Sequence, residues 1–159
     1  MFSFQGKPGT EPENWKLEPH KLMALHLEIV TPEKKIFSDT VENVYLPGAD
    51  GEMGILPSHA GLVTALQPGE LRYLREGQVN TLAIGSGFAE VGKDKIVVLT
   101  DMALGESEID EKATEDAIQR AEEKLLGVEH SMDAEEVAYL QGIIAKQSAA
   151  LRFKRKHMH

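Results

Sequence analysis

The spacing of apolar residues changes once along this chain, and that change constrains the fold more than any other feature. From Leu25 to Thr100 the apolar residues come in short runs with a period of two. Leu25, Leu27 and Ile29 alternate with His26, Glu28 and Val30, and similar runs follow at Thr40 to Leu46, Leu62 to Leu66, Leu71 to Leu74, Val79 to Ile84, Phe88 to Val91 and Ile96 to Thr100. Successive side chains of a strand point to opposite faces, so each run predicts a half-buried strand. Between the runs stand Pro47-Gly48-Ala49-Asp50-Gly51, Gln67-Pro68-Gly69, Arg75-Glu76-Gly77 and Gly92-Lys93-Asp94, residues suited to tight turns. Six or more short strands so punctuated predict antiparallel hairpins closed into a sandwich or barrel.

After Asp101 the period lengthens. Ile109, Ala113, Ala117, Ala121 and Leu125 recur every four residues, and Ser107 with Asp110 has the spacing of a capping box, which predicts a helix over 108–126 stopped by Gly127. Asp133, with Glu136 three residues on, opens a second helix bearing Ala134, Val137, Ala138, Ile144, Ala145, Ala149 and Leu151. A short connection makes the two an antiparallel hairpin. Alanines bury little apolar area, at roughly 25 cal/mol per Å2, so this hairpin is expected to be held loosely and to serve as a moving part. The expected division is a disordered extension, native or artificially added, over 1–22, a β-sandwich over 23–106, and a helical hairpin with a basic tail over 107–159.

Composition narrows the function classes. The net charge of −9, from 26 acids against 17 bases, argues against nucleic acid, which calls for a basic footprint. With no cysteine, disulfides and thiolate chemistry are excluded. No apolar run approaches the roughly 20 residues of a membrane span, so membrane association is expected only through a partner. Residues 107–136 hold eleven acids and three bases, whereas 137–159 hold five bases, Lys146, Arg152, Lys154, Arg155 and Lys156, and no acid. A helix dipole accounts for the last turn of such a stretch but not for all of it, and an acidic protein surface is the expected partner.

The segment Gly51-Glu52-Met53-Gly54-Ile55-Leu56-Pro57-Ser58-His59-Ala60 interrupts the strand pattern. Gly51 and Gly54 permit positive φ or close backbone approach and Pro57 removes a ladder donor, so it reads as a shaped contact loop. Glu52 and His59 are its titratable groups, with no nucleophile beside them and no metal-ligand spacing, and a catalytic or metal role is not expected. His26 reads as an exposed strand residue, His59 as a turn residue bonded to backbone, and His157 with His159 as a tail rather than a metal site.

Three motifs in order, Gly51 to Ala60, then Leu66-Gln67-Pro68-Gly69, then Gly85-Ser86-Gly87-Phe88-Ala89-Glu90-Val91, followed by the alanine-rich hairpin, resemble the epsilon subunit of F-type ATP synthase from Met23 to about Phe153. The resemblance implies a ten-stranded antiparallel β-sandwich docked on the gamma subunit and the membrane c-ring. It also implies a non-catalytic place in the central rotor stalk, on the cytoplasmic face of a bacterial energy-transducing membrane, and a C-terminal hairpin that can extend toward the catalytic head and inhibit ATP hydrolysis. It puts Gly51, Glu52, Met53, Gly54 and His59 at the c-ring and gamma contact loop, with Glu52 the acidic position. Lys146, Arg152, Lys154, Arg155 and Lys156 stand where the family faces the head. Some members bind ATP through isoleucine or leucine, aspartate, two variable residues, arginine and alanine. Here Ile109 and Asp110 are kept but Ala113 stands at the arginine position, which removes the bidentate donor, so ATP binding and any other cofactor are not expected. The competing reading is a free-standing β-sandwich binding module with a helical oligomerisation tail. It would need aromatic platforms, and only Trp15, three tyrosines and five phenylalanines are available.

Overall fold

A computed structural model describes residues 24–58, 61–127 and 133–158. The expectations for residues 1–22, His59 and His159 lie outside the described residues. Ten strands come first: β1 (Leu25–Val30), β2 (Lys35–Val41), β3 (Asn43–Gly48), β4 (Gly51–Ile55), β5 (Leu62–Leu66), β6 (Gly69–Arg75), β7 (Gln78–Ile84), β8 (Gly87–Val91), β9 (Lys95–Thr100) and β10 (Ala103–Leu104). A 3-10 turn (Glu106–Glu108) leads to α1 (Glu111–Gly127) and α2 (Ala134–His157).

The strands form one continuous sheet in the order β10-β7-β6-β3-β5-β8-β9-β1-β2, with β4 added to β3. Every pairing is antiparallel except one: β1 runs parallel to β9, with Leu27 opposite Ile96. Hairpin punctuation reports only neighbours in sequence, so this long-range parallel seam could not be read from turns. The sheet folds over until β2 meets β6. The Phe37 and Tyr73 rings lie 4.6 Å apart and Arg75 pairs with Asp39 at 2.6 Å across that closure. The core between the layers is built from inward residues of alternating runs, Leu25, Leu27 and Ile29 of β1, Val44 and Leu46 of β3, Ile96 and Val98 of β9, all fully buried.

Two strand expectations are corrected. The run Thr40 to Leu46 is two strands parted at Glu42, whose N–H donates to the Leu74 carbonyl at 2.7 Å. The contact loop begins as strand β4, paired to β3 with Gly48 opposite Gly51 across the turn Ala49-Asp50. Gly51 has φ 126°, the left-handed region the turn demands. Glycines mask a strand's propensity, and pairing with β3 overrides it.

Helix caps are also shifted. Asp110, not Ser107, caps α1: its Oδ1 accepts from the Ala113 N–H at 2.9 Å. One turn earlier the Glu108 carboxylate accepts from the Gly105 N–H at 2.7 Å, half of a capping box, since glycine has no side chain to return the bond. Asp133 caps α2 as expected, accepting from the Glu136 N–H at 2.8 Å.

Candidate functional sites

Glu52 leaves the outer face of β4 near its turn, exposed and held sideways. The Arg72 Nη2 on β6 donates to Glu52 Oε1 at 2.7 Å, and the Arg72 guanidinium stands 4.8 Å from the centre of the Tyr45 ring on β3. Met53 points the other way and packs on the sandwich core, so alternation on β4 divides the expected contact residues between two faces. After Ile55 the chain turns through Ser58, at φ 62°, whose N–H donates to the Lys93 carbonyl at 3.0 Å. His26 bonds Ser38 across β1 and β2 at 3.0 Å, a structural role.

A second surface has no counterpart in the sequence reading. Ala65, Phe88 and Leu99 lie side by side on β5, β8 and β9. Phe88 is 59% and Leu99 52% exposed, with Val63 exposed beside them. Outward apolar residues on three adjacent strands make a contiguous apolar strip, the kind that marks a protein interface. The signal was present as apolar residues at outward positions of alternating runs, but it emerges only once β5, β8 and β9 are known to be neighbours.

The helical hairpin lies on the outside of β6 and β7, with α2 against the sheet and α1 against α2. Ile84 enters the sandwich core while Ala83, next in sequence, faces outward into a second cluster with Ile109, Ala150 and Phe153. Burying Phe153 contributes about 1.5–3 kcal/mol, so alanine is not the whole of the seam. The expected stripe is only partly right. Ala121 and Ala149 are buried, but so are Thr114, Leu140, Ala150 and Phe153, while Ala113, Ala134, Ala138 and Ala145 are exposed.

Charge pairs rim this seam, and they engage most of the residues expected to face a partner. Lys146 reaches Asp101 at 3.6 Å, Lys154 reaches Glu106 at 2.9 Å and Lys156 reaches Glu70 at 2.9 Å. Arg155 bonds Glu111 at 2.8 Å and also pairs with Glu115, so it ties α2 to α1. The hydrogen bond that Arg155 donates to Glu111 is the main cause that raises the Arg155 pKa, against desolvation that lowers it, with the Glu111 and Glu115 charges adding to the rise. Arg152, exposed at the surface, has no ion pair among the described residues. The bases therefore neutralise this chain's own acids in the docked hairpin, and surface pairs of this kind each contribute little.

Ile109 and Asp110, the two positions expected to match the family's nucleotide motif, both have structural work: Ile109 fills the second cluster and Asp110 caps α1. They border a cleft of about 240 Å3 whose lining includes Ala113, Thr114 and Gln147, with no lysine or arginine among the described lining residues. Among the described residues no group of three metal-ligating side chains occurs and no helix is long and apolar enough to cross a membrane.

Residues 24–106 match the family described as ATP synthase, Delta/Epsilon chain, beta-sandwich domain. The ATP synthase epsilon chain of Nitrosococcus oceani is 41% identical over 136 residues, covering 84% of this chain and 97% of that one. That of Herpetosiphon aurantiacus is 38% identical over 136 residues, covering 84% and 100%, and that of Desulforamulus reducens is 50% identical over 99 residues, covering 62% and 75%. Among solved structures, a chain of the Euglena gracilis mitochondrial ATP synthase, in a structure of OSCP, F1 and c-ring, superposes with a TM-score of 0.64 at 23% identity over 79% of this chain and 78% of that one, a likeness of fold. The family match over the sandwich and the similarity over 84% of the chain agree, and the chain belongs to the ATP synthase epsilon chain family.

Proposed function

We propose that the chain is the central-stalk rotor subunit joining the gamma subunit and the c-ring to the catalytic head of a proton-translocating ATP synthase, with no catalysis of its own. The match to the Nitrosococcus oceani epsilon chain carries this reading, because it runs through the hairpin as well as the sandwich. The relatives named above are bacterial, which favours a place on the cytoplasmic face of a bacterial energy-transducing membrane.

In this reading residues 23–106 bind the rotor and 107–159 regulate it. Glu52 contacts the polar loops of the c-ring, supported by its exposure near the tip of an edge hairpin. Gly51, Gly54 and Met53 shape and anchor that hairpin, and His59 follows it in sequence. The strip of Ala65, Phe88 and Leu99 faces gamma. Lys146, Arg152, Lys154, Arg155 and Lys156 bind acidic groups of the catalytic head when the hairpin leaves the sandwich, and ATP hydrolysis is then restrained. Four of these bases already have acidic partners in the docked state, so reaching the head exchanges ion pair for ion pair, and the partner surface has to offset only the apolar seam around Phe153. The switch is driven by the partner surface and not by nucleotide, since Ala113 supplies no phosphate clamp.

Mixing the purified chain with gamma and detergent-solubilised c-ring tests the assignment. Elution of all three as one complex is the expected result. A chain that binds neither and elutes alone favours the free-standing module with a helical tail.

A further inference from the structure

We infer that Arg72 positions Glu52 for its partner, an assignment that rests on the reading of Glu52 as a c-ring contact. Strand register sets Tyr45 of β3 between Gly54 of β4 and Arg72 of β6, all on the outer face of the sheet. A Cβ at Gly54 would come within 3.0 Å of Tyr45 Cε1, so the absent side chain makes room for the ring to lie across β4. The ring in turn is the floor on which the Arg72 guanidinium stands, at 4.8 Å, and Arg72 reaches over it to Glu52 at 2.7 Å. A cation stacked on an aromatic face and bonded to a carboxylate has little rotamer freedom left.

The consequence is preorganisation. An exposed glutamate beside a turn would have to be ordered when its partner arrives, and the cost of ordering would come out of the affinity. Here the ordering is done in the free chain by Gly54, Tyr45 and Arg72 together. Only one carboxylate oxygen, Oε1, is engaged by Arg72, so the pair aims the carboxylate and leaves it able to accept a further hydrogen bond. Arg72 is thus a positioning residue, acting on the interface through Glu52.

The test measures the affinity of the gamma-bound full-length chain for purified c-ring, using Glu52→Ala, Arg72→Met, Arg72→Lys and the Glu52→Ala, Arg72→Met double variant. Expected are losses of about three- to tenfold for either single variant and no further loss in the double, the non-additivity of two residues acting as one unit. Arg72→Lys, which keeps the charge without the fork or the stack, recovers only part of the loss, and thermal unfolding of the variants stays at the parent value. Wild-type affinity for Arg72→Met beside a weakened Glu52→Ala overturns the positioning role and leaves the Glu52 contact standing. Losses that multiply in the double variant also overturn it, since Arg72 would then act on its own. Unchanged affinity in both single variants removes the Glu52 contact itself. Should Arg72→Met fail to fold, Tyr45→Leu takes its place: a comparable loss supports the platform and unchanged affinity overturns it.

Discussion

At the scale of single residues, the sandwich depends on a few positions where geometry leaves no choice. Gly87 opens β8 opposite Thr100 of β9, and a Cβ there would sit 1.9 Å from the Leu99 carbonyl oxygen. Gly87→Ala must therefore push backbone from backbone, and a loss of about 2 kcal/mol or more in denaturant unfolding is expected. Glu28 is a different kind of position. It receives Lys35 at 2.8 Å and Lys95 at 3.3 Å, and the hydrogen bond from Lys35, then that from Lys95, lowers its pKa below 4.5. A depressed carboxylate stabilises the fold above its unfolded pKa, and that contribution disappears as the pH falls through the lower folded value. The thermal midpoint of the parent chain should fall on acidification below about pH 4.5 more steeply than that of Glu28→Gln. Parallel curves would remove Glu28 from the acid response. The glycines of the Gly85-Ser86-Gly87 motif were legible as a motif, but the reason for Gly87 needed the register of β8 on β9.

At the scale of elements, the alternating runs were read well because period two survives local irregularity, as the buried Leu25, Leu27 and Ile29 illustrate. The helices were read less well. A step of four residues turns about 400° around a helix, so a stripe drawn every fourth residue drifts by about 40° each time. That drift carries Ala113 out to solvent, while Thr114 and Ala121, seven apart, face α2. Likewise an outside acidic surface is expected for the bases of α2 because Glu70, Asp101 and Glu106, the partners of Lys156, Lys146 and Lys154, lie on the strands or just beyond them and are not evident as neighbours in sequence. The seam itself is narrow. Ala150 is 1% exposed and meets Ala83 in the second cluster, so Ala150→Leu overfills a space made for a methyl group. Hydrogen exchange should show α2 losing protection while β1 and β9 keep theirs. Equal loss in both would mean that hairpin and sandwich unfold as one unit.

For the whole molecule, the proposed function divides the chain into a sandwich that binds the rotor and an attached hairpin whose bases exchange one set of acidic partners for another. The acids Glu70, Glu106, Glu111 and Glu115 pair with Lys156, Lys154 and Arg155 in the docked position, and these are among the bases proposed above to meet the catalytic head. The two halves of each pair therefore have opposite effects on the assembled enzyme. Removing the bases should weaken the contact with the head, whereas removing the acids should free the bases for it. The most direct measurement is the ATP hydrolysis rate of the reconstituted synthase at low salt, where exposed pairs are least screened. Changing Glu70, Glu106, Glu111 and Glu115 to glutamine should lower hydrolysis, by about three- to tenfold if a few exposed pairs are lost, and changing Lys154, Arg155 and Lys156 to glutamine should raise it. Hydrolysis that rises on removal of the acids, or that ignores both sets, would contradict a hairpin shared between the sandwich and the head.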